Sequence, residues 1–194
     1  MISALSKKHS FDAVFDSQKV FRLILEAVSN PARVVDMSEY AAKLSGSHPA
    51  FLAVAMTLLD NEVSFNTCEN DALSDEIASL TLARKDEIES ADFVFVSYPD
   101  DLENAIEKIK CGTLADPHKS ATVVIRNEDG PAGRMKLSGP GIDGHTAVRA
   151  TQMVKYAVML RDAQHYEYPR GIDLLFLSDN GEMFAVPRLT RTEA

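Results

Sequence analysis

The chain has 194 residues, 29 acidic and 20 basic side chains and a formal net charge of −9; that length suits one domain that buries a core without disulfide or metal staples. An apolar fraction of 45% beside 25% charged residues excludes a disordered chain. The acid is concentrated: residues 60–110 hold 14 acidic against 4 basic side chains, residues 1–59 hold 5 against 6, and residues 111–194 hold 10 of each.

A nucleic-acid footprint needs clustered Lys and Arg, and no polybasic segment suits a membrane surface, so neither is an expected partner. Cys68 and Cys111 are the only cysteines. They offer no disulfide framework and no metal-ligand spacing, and read as buried free thiols, the alternative being a single bridge between them, with no metal expected. The first residues, Met1 to Lys8, lack the apolar core of a signal peptide. No apolar run reaches the roughly 18–20 residues of a membrane span, so the expected location is cytoplasmic.

In chain order, Asp16-Ser17 is placed to cap a helix in which Val20, Phe21, Ile24, Leu25 and Val28 recur at helical spacing, with Asn30-Pro31 as its stop. Val34-Val35 reads as a short strand. Pro49 opens a second helix, Ala50 to Leu59, apolar on nearly every side and therefore expected to be buried. Val63 to Phe65 is strand-like, and Ser74-Asp-Glu-Ile77 opens a helix with acids in its first turn. Phe93-Val-Phe-Val96 suits a central strand covered on both faces. Pro99-Asp100-Asp101 starts a helix carrying Leu102, Ala105, Ile106 and Ile109, with Gly112 as the expected C-cap.

The last third predicts more strand. Ala121 to Arg126 and Arg134 to Ser138 read as an antiparallel hairpin with a long turn. Thr146 to Ala163 reads as one long amphipathic helix. Ile172 to Leu177 and Glu182 to Val186 flank Ser178-Asp-Asn-Gly181, a second hairpin signal. Residues 1–194 are expected to form a single α/β domain with a mixed β-sheet flanked by helices.

No Walker A, G-x-S-x-G, H-E-x-x-H or Rossmann glycine fingerprint is present. The five histidines (His9, His48, His118, His145, His165) each fall in or beside an expected turn. Three segments stand out. Leu137-Ser-Gly-Pro-Gly-Ile142 leads into the expected long helix, so its amides and the helix start form a candidate anion cradle, against the plainer reading of a tight turn. Tyr168-Pro-Arg-Gly-Ile-Asp-Leu174 enters the penultimate strand, where Asp173 needs a partner if buried and Arg170 is either an anion contact or simply exposed. In Ala185-Val-Pro-Arg-Leu-Thr190, Arg188 and Thr190 offer a guanidinium and a hydroxyl.

Taken in order, these segments carry a resemblance. Phe11-Asp-Ala-Val-Phe-Asp-Ser-Gln-Lys-Val-Phe-Arg-Leu-Ile-Leu-Glu-Ala-Val-Ser-Asn-Pro31 resembles the start of the PhnH family of the carbon–phosphorus lyase system. The likeness continues through Leu58-Leu-Asp60, Gly112-Thr113, Leu137 to Ile142, Tyr168 to Leu174 and Val186-Pro-Arg188. Ala32 stands where that family often has glycine, and the acidic middle matches only loosely.

The resemblance implies a bacterial cytoplasmic subunit of phosphonate catabolism. It would be required with the G, I and L proteins to transfer the ribose triphosphate moiety of ATP to an alkylphosphonate, giving ribose 1-methylphosphonate 5-triphosphate. The C–P bond is cleaved later by the J subunit. The resemblance also implies a homodimer that joins the G, I and J subunits, and a fold similar to pyridoxal-phosphate-dependent transferases but without that cofactor.

The residues accord with a subunit that does not carry the hard chemistry alone. Two isolated cysteines cannot hold an iron–sulfur cluster, and no lysine has a Schiff-base setting, Lys119 and Lys136 being the nearest. No cofactor is therefore expected, and no catalytic residue is assigned. Candidates for an anion contact, to ATP or a phosphonate, are Arg22, Arg134, Gly139, Gly141, Arg170 and Arg188, since guanidinium groups pair with phosphonate oxygens. The competing readings are a stand-alone small pyridoxal-phosphate enzyme and a purely structural interaction module.

Overall fold

The computed structural model describes residues 9–128 and 130–193. In chain order the elements are α1 (Phe15–Ser29), β1 (Val35–Asp36), α2 (Ser38–Ala41), α3 (Pro49–Leu58), β2 (Ser64–Asn66), α4 (Asp71–Thr81), β3 (Arg84–Lys85) and β4 (Phe93–Val96). They continue with α5 (Leu102–Lys108), β5 (Thr122–Arg126), β6 (Ala132–Ser138), β7 (Thr146–Thr151), α6 (Gln152–Ala163), β8 (Asp173–Leu177), β9 (Glu182–Val186) and β10 (Arg191–Glu193).

Seven strands form the main sheet, in the order β1-β9-β8-β5-β4-β2-β3. β8, β5, β4, β2 and β3 are mutually parallel, and β9 extends the edge antiparallel to β8 and in turn pairs antiparallel with β1. The architecture is thus α/β with a mixed sheet, as expected. Alternation along the strands sends Phe65, Phe95, Val124, Leu175 and Met183 to one face, under α1, α3 and α4. Val94, Val96, Val123, Ile125, Leu174 and Phe176 go to the other, under α5, α6 and the inner side of a small sheet. α3 is buried along Ala50 to Ala55, which is why its sequence is apolar all round.

Several expectations are corrected. Ala121 to Arg126 and Arg134 to Ser138 do not pair. β5 lies inside the main sheet between β4 and β8, whereas β6 belongs to a separate antiparallel sheet ordered β10-β6-β7. The reason is visible in β5, where Val123, Val124 and Ile125 are all buried; a strand apolar on both faces is an interior parallel strand. Nor is 146–163 one helix. Thr146–Thr151 is β7, and α6 starts at Gln152 where the Thr151 hydroxyl accepts the Val154 N–H.

Helix starts also move. Asp12, not Asp16-Ser17, closes the first turn of α1: its Oδ1 accepts the N–H groups of Val14 and Phe15 at 2.8 Å, and Asp16 Oδ2 returns a bond from the Asp12 N–H at 2.8 Å. α4 begins at Asp71, capped by Asn70, whose Oδ1 accepts the Leu73 N–H. α5 ends at Lys108, so Gly112 does not cap it. Of the α1 apolar set, Val20 and Ile24 are buried while Phe21, Leu25 and Val28 face solvent. Ala32 adopts φ +68°, the left-handed backbone that favours glycine. No helix among the described residues is long and apolar enough to cross a membrane.

Candidate functional site

The loop from β9 to β10 crosses the N-terminal end of β8 and meets the turn after β6. Together with the residues after α6 it walls a cleft of about 610 Å³, lined by Ser138, Gly139, Pro140, Arg161, Asp162, His165, Tyr166, Tyr168, Arg170, Arg188, Leu189, Thr190, Arg191 and Thr192. Two glycines permit this closeness. A Cβ on Gly139 (φ +131°) would lie 2.8 Å from the Leu189 carbonyl oxygen, and one on Gly171 (φ +150°) would lie 2.9 Å from Arg188 Cβ.

Four arginines line the cleft, and two are spent on the fold. Arg161, only 3% exposed, donates from Nη1 to the carbonyls of Val186 (3.2 Å) and Pro187 (3.1 Å). Its Nη2 donates to the Thr190 carbonyl (2.8 Å) and to Asp162 Oδ1 (2.7 Å). Arg188 is held by Asp173 and donates from Nη1 to the Pro117 carbonyl at 2.6 Å. Asp173 therefore has the partner its place in an apolar strand requires. Arg170 is different: its Nε is buried with no hydrogen-bond partner, and its nearest carboxylate contact is Glu167 Oε2 at 4.0 Å from Nη2. Thr190, 2% exposed, has an equally unpartnered Oγ1. Arg191 adds an exposed cation from β10. Burial, with the nearby Cys111 thiol, pushes the Tyr166 phenol up to about 12, so it serves as a neutral group.

Of the candidates named from the sequence, Gly139, Arg170 and Arg188 meet here. Arg134 lines a neighbouring groove with Lys136, Lys155 and Met159, sharing Asp162 and Thr192 with the cleft. Gly141 lines a separate hollow beside Asn30, Pro31 and Arg33, and Arg22 is exposed on α1. The helix start that gave residues 137–142 their cradle reading is absent, because that segment joins β6 to β7. The sequence reading missed Arg161, His165 and Arg191. Arg161 looks like an ordinary surface arginine until the loop it holds is seen to pack on α6.

His48 departs from the solvated-turn reading. It lines a smaller hollow of about 140 Å³ with Phe51, Arg126 and Asp179, and burial, then the Arg126 charge, holds its imidazole below the usual histidine range. Among the described residues no group of three or more His, Cys, Asp or Glu could hold a metal ion.

Fold and cleft together define a three-layer α/β protein with a cleft walled by arginines and tyrosines. Residues 9–193 match the family model described as bacterial phosphonate metabolism protein (PhnH), and the chain belongs to that family. It is 29% identical over 175 residues to HtxG of Stutzerimonas stutzeri, named as a C-P lyase subunit protein, covering 89% of this chain and 84% of that one. It is 28% identical over 193 residues to the alpha-D-ribose 1-methylphosphonate 5-triphosphate synthase subunit PhnH of Rhizobium meliloti strain 1021, covering 94% and 92%.

Proposed function

We propose that this chain is a subunit of a bacterial C–P lyase assembly. In it the chain acts with the G, I and L proteins in transfer of the ribose triphosphate moiety of ATP to an alkylphosphonate, and contacts the J subunit. The observation that carries this reading is near full-length similarity, from residue 9 to residue 193, to a family of phosphonate metabolism proteins and to a named subunit of the corresponding synthase. The role is contributory rather than independently catalytic. Two cleft arginines are consumed by the fold, and no lysine lines the cleft to form a Schiff base. Reconstitution tests it: the G, I and L proteins with ATP and methylphosphonate should release adenine only when this chain is added. Equal release without it rejects the reading, and a preparation that turns yellow with pyridoxal phosphate would favour the stand-alone enzyme instead.

The same reading takes residues 1–194 as one cytoplasmic domain with a fold akin to the pyridoxal-phosphate-dependent transferases. A seven-stranded mixed sheet covered on both faces supports that likeness. It also takes the chain as a homodimer. Support comes from Phe21, Leu25 and Val28, a stripe along the solvent side of α1 in which Phe21 is 48% and Leu25 53% exposed, continued by Val14 just before the helix. Sedimentation of the Phe21→Glu variant should show the monomer; an unchanged dimer removes α1 from the interface.

A further inference from the structure

We propose that the arginine-walled cleft is an oxyanion site in which Arg170 and Thr190 grip the tetrahedral phosphorus group of a substituted phosphate or phosphonate. The oxyanion site stands on the cleft, and the phosphorus identity of its ligand rests on the function proposed above.

Buried polar atoms in folded proteins are nearly always hydrogen-bonded, and each exception asks for a missing partner. Three such side-chain atoms are left over among the described residues, and two of them, Arg170 Nε and Thr190 Oγ1, belong to residues lining this one cleft. Thr190 is fixed at both backbone ends. Its N–H donates to the Pro187 carbonyl at 2.9 Å and its carbonyl accepts from Arg161 Nη2 at 2.8 Å, which leaves the buried hydroxyl as its one unpartnered polar group. Arg170 is likewise set by the turn bond from its N–H to the Glu167 carbonyl at 2.9 Å.

Charge decides the sign of the ligand. Arg161 is matched by Asp162 and Arg188 by Asp173, whereas Arg170 has only the exposed Glu167 at 4.0 Å, outside the cleft lining, so Arg170 and Arg191 give the cleft its positive excess. A guanidinium fork beside a hydroxyl suits the tetrahedral oxygens of phosphate and phosphonate. Size decides the rest. About 610 Å³ falls within the range of small-molecule sites, well above a lone phosphate. Among the other walls, Pro140, Tyr166, Tyr168 and Leu189 offer apolar surface that would cover a substituent on the phosphorus group, beside the polar Ser138 and His165.

Calorimetry of the full chain with inorganic phosphate, methylphosphonate, pyrophosphate and ATP tests the site, with heat from methylphosphonate or from pyrophosphate and ATP telling a phosphonate from a polyphosphate. Arg170→Gln should weaken whichever binds by about tenfold to a hundredfold, Arg170→Lys by less, and Thr190→Val by about twofold to tenfold. Arg22→Gln, on the far-exposed α1, should bind as the wild type. Thermal melts confirm that each variant is folded. No binding of any anion to the folded chain, or undiminished binding by Arg170→Gln, overturns the site; undiminished binding by Thr190→Val removes the hydroxyl from it.

Discussion

Asp173, the first residue of β8, accepts both the backbone N–H of Arg188 at 2.8 Å and its guanidinium Nε at 3.2 Å, tying the start of one strand to the second residue beyond the end of its antiparallel neighbour. Both side chains are about four-fifths buried. Breaking a fully buried pair costs about 3–5 kcal/mol, and partial exposure reduces that to about 2–3 kcal/mol for Asp173→Ala. Urea denaturation reads the loss directly; a change under about 0.5 kcal/mol would show the pair to be dispensable.

At Ala32 the backbone is left-handed, with φ +68°, in a buried setting where its N–H donates to the Ala185 carbonyl at 3.1 Å. The Cβ strain there is about 1–2 kcal/mol and the added chain freedom of glycine recovers roughly 0.5–1 kcal/mol of it. Ala32→Gly should therefore raise the melting temperature by a few degrees. An unchanged or lower value contradicts the strain argument.

Gly139 presents the opposite case. Its φ of +131° and the 2.8 Å approach of any Cβ to the Leu189 carbonyl leave no room for a side chain. Gly139→Ala should destabilise by about 2 kcal/mol. It should also weaken anion binding, because the displaced loop carries Thr190. A stable variant with unaltered binding would mean that the loop yields freely.

Acid should unfold the chain partly through two carboxylates. Arg126 donates to both oxygens of Asp179, at 2.8 and 2.7 Å, and this holds the Asp179 carboxyl below the usual range against the opposing effect of burial. Lys43, at 2.7 Å, followed by the Asp12 amide, does the same for Asp16. Lowered folded-state values mean that the unfolded chain binds more protons. Their stabilisation is fully present above the unfolded value of about 4 and disappears as pH falls through the folded values. Asp16→Asn should flatten the decline of the urea midpoint between about pH 4 and pH 2. An identical slope removes Asp16 from the acid response.

Burial, reinforced by the charges of Asp101 and Glu69, raises the Cys68 thiol to about 12. Only the thiolate reacts. Iodoacetamide at pH 8 should leave Cys68 unmodified in the folded chain and label it in urea, as read by mass spectrometry. Rapid labelling without denaturant would contradict that burial.

Elements whose side chains follow a local rule were readable from sequence: the apolar α3, the interior run Phe93–Val96, and the β8–β9 hairpin with Asn180-Gly181 at its turn. What failed was pairing over distance. The alternation in Arg134 to Ser138 identifies a half-buried strand but does not name its neighbour. Thr146 to Thr151 supplies that neighbour while sharing a helix-compatible spacing with α6. The candidate site was legible to the same extent. Arg170, Arg188 and Thr190 announce polar chemistry at a strand end, but their relation to Arg161 and Arg191 depends on β10 folding back onto β6.

The buried Arg161 gives the cleft a division of labour. Its guanidinium ties three carbonyls of the loop from Val186 to Thr190 to the helix below without itself standing in solvent. Support and recognition thus rest on different arginines. Ligand preference at Arg170 can be retuned by substitution without loosening the rim, whereas a lysine at Arg161, having one ammonium for three carbonyls, would let the rim and every contact on it drift together.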